Sequence, residues 1–120
     1  MPTREEFHKR WLELILSVEL PERDTIKLHL DAATSVTYCQ CGCHSFDLHI
    51  PEGTRLPPLS DGRCLFSEFA FETNYEDVLE FILFTDERGY LRSVDVTYGD
   101  SNHAPIPEDV EVKSFKWVVG

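Results

Sequence analysis

Three cysteines and a histidine fall within one six-residue stretch, Cys39-Gln40-Cys41-Gly42-Cys43-His44. Sulfur and imidazole donors this close together can hold a metal, run thiol redox chemistry or fill a tight strand. Spacing separates these readings. A strand rises ~3.3 Å per residue, so Cys39 and Cys43 would stand ~13 Å apart along an extended segment. Zinc–sulfur bonds of ~2.3 Å place ligand sulfurs within about 4 Å of one another. An extended segment therefore cannot put Cys39, Cys41 and Cys43 on one ion. A tight bend at Gly42 would bring two or three together, with His44 or His49 completing the set. The usual zinc knuckle has two residues between cysteines, and here there is one.

The remaining chemistry is thin. A nucleophilic cysteine needs a base beside it, and His44 follows Cys43 directly. In a strand, however, adjacent side chains point to opposite faces. His8, His29, His49 and His103 are scattered and read as surface or hairpin histidines. No GxSxG, phosphate-binding glycine loop or HExxH occurs. The expectation is four free thiols and no cofactor. The alternative is a small zinc-binding or thiol-redox domain centred on Cys39, Cys41, Cys43 and His44.

The run from Cys39 through Ser45-Phe46-Asp47-Leu48 resembles the C-x-C-G-C-x-S-hydrophobic-acid-Leu signature of a family of small, uncharacterised bacterial proteins common in actinobacteria. That family also carries a late strand similar to Leu91–Tyr98, followed by an acidic, proline-containing tail. The likeness covers about residues 36–50 and 80–110. It implies a bacterial origin and supports the fold; it carries no activity. A small residue or proline usually stands there in place of His44, so the resemblance does not make His44 an obligatory ligand. In general character the chain also resembles bacterial toxin-immunity proteins.

The elements that must position these residues belong to a single domain, residues 1–120. Acidic residues number 22 against 11 basic ones, a net charge of −11. That field repels nucleic acid and anionic membrane and favours cations and basic proteins. The apolar stretch from Trp11 to Leu20 is too short and too charged to span a bilayer, and no export signal is visible. The compartment expected is the cytoplasm, where thiols stay reduced.

Thr3 can cap a helix whose apolar stripe is Phe7, Trp11, Leu14, Ile15 and Val18, ended by Pro21. Ile26, Leu28 and Leu30 alternate with polar residues and predict a strand. Further strands are expected at Val36–Cys39, at Phe46–Ile50, and over Cys64–Thr73, Val78–Thr85 and Tyr90–Tyr98. A weaker one runs from Val110 towards Trp117. Residues 51–63, with three prolines and two glycines, read as a surface loop. The fold class is α+β: an N-terminal helix packed on a mostly antiparallel sheet, a meander of about five to six strands.

A four-residue loop at Asp86–Gly89 would set Thr85 against Tyr90 and Glu80 directly against Asp95. Leu65, Phe69, Phe71, Leu79, Phe81, Leu83, Val94 and Val96 then face inward. The outer face gathers Glu68, Glu72, Glu80 and Asp95 with Phe66, Ile82 and Phe84. Opposed like charges destabilise a sheet, so folding alone does not favour this arrangement. Acids mixed with aromatics suit a basic protein partner. The function expected is non-enzymatic protein binding, as in an immunity or accessory factor.

Overall fold

The computed structural model describes residues 4–18, 22–38, 44–99 and 109–119. Among the described residues two helices, α1 (Arg4–Ser17) and α2 (Arg23–Ala32), precede six strands. These are β1 (Ser35–Tyr38), β2 (Phe46–His49), β3 (Leu65–Thr73), β4 (Val78–Thr85), β5 (Leu91–Tyr98) and β6 (Val112–Val119). All pair antiparallel in one sheet of order β1-β2-β5-β4-β3-β6. The fold is α+β, with the β3–β4–β5 meander at its centre. Among the described residues no helix is long and apolar enough to cross a membrane.

The core lies on one sheet face because β4 and β5 alternate at a period of two. Leu79, Phe81, Leu83, Val94 and Val96 are buried, and the residues between them are half-buried. Phe69 and Phe71 extend that layer onto β3. Helix α1 closes it with Phe7, Trp11 and Ile15, joined by Val18 just past its end; of the stripe expected from the sequence, Leu14 is only partly buried. The Trp11 ring meets Phe81 edge-on at 5.9 Å and stacks on Phe7 at 5.6 Å. Thr3 and Pro21, expected to start and stop this helix, lie outside the described residues.

The strand expected at Ile26–Leu30 is a helix. Ile26, His29 and Leu30 fall at i, i+3 and i+4, a helical face, and the first two are buried. Leu28, which alternation would bury beside them, is 48% exposed. Asp24 sits in the first turn, where the helix dipole favours a negative charge, and Lys27 pairs with Asp31 at i+4.

His29 is no surface histidine. It is fully buried; its Nδ1 accepts the Leu91 amide at 3.0 Å, and Nε2 bonds the Pro57 carbonyl at 2.7 Å. An imidazole accepting at Nδ1 must donate at Nε2, so the ring is neutral. Burial lowers its pKa, against the opposing pull of the Pro57 bond and the Asp86 charge, while Arg88 adds to the lowering. The unfolded chain takes up this proton near pH ~6.5 and the folded chain resists it. The contribution of His29 is therefore present above that value and lost as pH falls below it. Urea denaturation from about pH 7.5 down to pH 5 should show stability falling by up to ~1.4 kcal/mol per pH unit from this group. His29→Gln should remove about one proton from that slope; an unchanged slope would refute the assignment.

The loop over residues 51–63 is tied down by the β4–β5 hairpin. Asp86 accepts the Arg88 and Tyr90 amides at 2.8 and 3.1 Å, and its other oxygen takes the Arg88 guanidinium at 2.9 Å. Arg88 in turn donates to the Ile50 and Pro51 carbonyls. Its guanidinium lies over the Tyr90 ring, 4.6 Å from the centroid. Tyr90 accepts the Leu56 amide and donates to the Thr54 carbonyl. Although burial pushes the Asp86 carboxyl up, these bonds hold it below the usual carboxylate range.

Candidate functional site

The outer sheet face carries the acidic residues expected there, in a different register. Asp95 stands opposite Ile82, and Glu80 stands opposite Thr97. The reason is a bulge between Phe84 and Thr85 that pairs Thr85 with Leu91 rather than Tyr90. The offset from the expected register is two residues. An even slip keeps every side chain on its face, so the acids remain outside although the Glu80–Asp95 pairing is lost.

Glu68, Glu80 and Asp95 each meet another acid instead. Ile82 lies between Asp95 on β5 and Glu68 on β3, and Glu80 is diagonal to Glu68. Burial raises the Glu80 pKa, and the charge of Glu68 and a hydrogen bond with it raise it further. Two carboxyls can share such a bond only when one is protonated. Asp95 is raised first by burial and then by Asp47 on β2. Glu72, opposite Val78, is exposed one row beyond Glu80. Asp47 was not singled out by sequence. Its alternation with Phe46 and Leu48 places it outward, but only the β2–β5 pairing, Asp47 against Ser93, brings it to Asp95.

Phe66 is not on the open face. A bulge between Leu65 and Ser67 inserts an extra residue, and Phe66 packs half-buried against the core. Leu65, expected inward, takes the register position opposite Phe84 and is 49% exposed. The apolar part of the face is thus Leu65, Ile82 and Phe84. A cleft of about 450 Å³ opens there, lined by two acids, Asp47 and Asp95, two basic residues, Arg63 and Arg92, and the apolar Leu65 and Phe84. Towards β6, Ala70 is fully buried.

Of the cysteine cluster, Cys39, Cys41 and Cys43 lie outside the described residues, as does His103. His44 is described, and its ring sits against α1. Its Nδ1 accepts the Trp11 indole N–H at 2.9 Å, and the ring lies 4.6 Å from Phe7. Accepting at Nδ1 requires the neutral ring to carry its proton on Nε2, which leaves no lone pair for a metal. Among the described residues no three metal-ligating side chains come together, and Cys64 is a free, exposed thiol. No protein family, curated protein or solved structure matches this chain.

Proposed function

We propose that this chain is a non-enzymatic, cytoplasmic protein-binding domain of the immunity or accessory kind, whose outer sheet face takes a basic partner. One observation supports the reading above others. An apolar patch of Leu65, Ile82 and Phe84 is bordered by Asp47, Asp95, Glu68 and Glu80, acids that crowd one another in the folded chain. The fold gains nothing from holding like charges side by side, whereas a cationic segment with an apolar anchor would relieve them. Charges at such a rim steer encounter, and the anchor supplies affinity.

The test uses a random peptide library selected on the immobilised protein. Enriched peptides should carry Lys or Arg flanking an apolar residue, and their binding should weaken as salt rises. In Glu80→Gln/Asp95→Asn the same peptides should bind roughly tenfold more weakly, while the protein becomes more stable by a few tenths to ~1 kcal/mol at neutral pH. The sign follows from the raised pKa values. The folded chain holds these protons more tightly than the unfolded one, so ionising both carboxyls lowers stability as pH rises. Peptides without cationic enrichment, or equal binding to the double variant, would refute the proposal.

A further inference from the structure

Arg63 and Arg92 line the cleft on the outer face, and the same two residues line a second cleft of about 530 Å³ at the hairpin end of the sheet. A segment that is basic throughout, seated on Leu65 and Phe84 beside Asp47 and Asp95, would therefore meet two guanidinium groups in the same cleft. Like charges set against each other across an interface select against a partner.

The cleft's own acids do not hold these guanidinium groups. Among the described residues Arg92 has no ion-pair partner, and neither Asp47 nor Asp95 has one. Arg63 pairs with Glu87 at 2.8 Å, but the two side chains are 61% and 74% exposed, so solvent screens the pair and it exchanges readily. Both arginines stand where the ladder is broken. Leu91 opposes Thr85 and Ser93 opposes Phe84, so Arg92 is the extra residue of the bulge, a device that re-aims a side chain. Arg63 precedes Cys64, whose carbonyl and amide are both bonded to Thr85. With Arg88 and Asp86 paired to each other, two arginines are left against four acids: Asp47 and Asp95 in the first cleft, Glu52 and Glu87 in the second. That balance fits a ligand that is basic overall and carries a minority of negative charge.

Resting on the basic-partner reading above, we propose that the partner segment is charge-registered: a basic stretch with an apolar anchor on Leu65 and Phe84, and one Asp or Glu whose carboxylate meets Arg63 and Arg92. A guanidinium takes a carboxylate through two parallel hydrogen bonds, which fixes register as well as adding affinity. Arg92 lies on β5, one strand from Phe84 on β4. Neighbouring strands are ~4.8 Å apart and an extended segment advances ~3.3 Å per residue, so the acid falls within about three residues of the anchor. The carboxylate displaces Glu87 from Arg63 into solvent, where most of that side chain already lies. The acids of the face set the partner's overall charge, and the two arginines decide which basic sequences fit.

The test is to select the random peptide library in parallel on the parent protein and on Arg92→Glu. Peptides enriched on the parent should carry Lys or Arg, an apolar residue and, at one fixed spacing from it, Asp or Glu. A synthetic peptide of that consensus should bind Arg92→Glu at least about tenfold more weakly, and its counterpart with Lys in place of the acid should bind Arg92→Glu better than it binds the parent. Arg63→Gln should weaken the consensus peptide by a smaller factor, since Arg63 must first leave Glu87. Arg92 is exposed and outside any ion pair, so its variants should unfold in urea as the parent does. Should Arg92→Glu not fold, Arg92→Gln replaces it and should abolish the acidic preference without reversing it. Enrichment of basic and apolar residues with no acid at a fixed spacing, or an acidic preference that survives in the Arg92 variant, would overturn the charge register and leave the basic-partner reading standing. Enrichment without basic residues would overturn both.

Discussion

Trp11→Ala is expected to cost about 3–5 kcal/mol, the range for truncating a buried aromatic that leaves a cavity. Trp11 is 1% exposed and holds three contacts at once: stacked on Phe7, edge-on to Phe81, and hydrogen-bonded to His44. Alanine removes the ring and also leaves the His44 acceptor without its indole donor. Trp11→Phe separates the two losses, since it retains most of the volume and should cost about 1–3 kcal/mol for the lost hydrogen bond. Urea midpoints at constant denaturant slope give both values. A cost near zero for Trp11→Ala would mean that α1 is not docked, and the α-on-sheet arrangement would fall with it.

Gly89→Ala should be the second large effect, at least about 2 kcal/mol. Gly89 has φ +79°, a left-handed conformation that costs a residue with a Cβ roughly 1–2 kcal/mol. A Cβ there would also stand 2.1 Å from the Ser60 carbonyl oxygen, so backbone must move against backbone. Movement is resisted because the Gly89 carbonyl accepts the Leu59 amide at 2.8 Å. Gly53 supplies the control. Its φ of +84° carries the same conformational cost, but a Cβ there meets nothing within 4 Å. Gly53→Ala should therefore lose only about 1 kcal/mol, and the difference between the two variants measures the clash. Equal losses at both positions would show that the loop yields freely at the hairpin.

What could be read in the chain, and what could not, divides along physical lines. Long periodic segments were legible: the stripe from Phe7 to Val18 and the alternation from Val78 to Thr85 each carry enough repeats to exclude another period. Ile26–Leu30 has only three apolar residues spaced by two, and such a run also satisfies i and i+4 of a helix. Burial of His29 between α2 and β5 settles it, a tertiary fact with no local trace. Register failed for the same kind of reason. The bulges beside Phe84 and Leu65 adjoin Thr85, whose hydroxyl donates to the Gly62 carbonyl and accepts the Cys64 amide, residues far apart in sequence. The acids of the outer face were legible because an even slip preserves them. Asp47 was not, because its neighbour is chosen by strand order.

The tying of residues 51–63 to the β4–β5 hairpin also bears on how the chain meets a protease. An exposed stretch with Arg55, three prolines and two glycines is where trypsin would be expected to enter a small domain. The bond following Arg55 is guarded, because its amide, that of Leu56, is held by the Tyr90 hydroxyl, and the flanking Thr54 carbonyl is held by the same group. Cleavage needs an extended, released backbone, so the bond after Arg55 can be cut only after Tyr90 has let go. That release removes the cover from the buried end of α2 at His29. Nicking there would therefore report an opening of the sheet's hairpin end rather than the fraying of a surface loop.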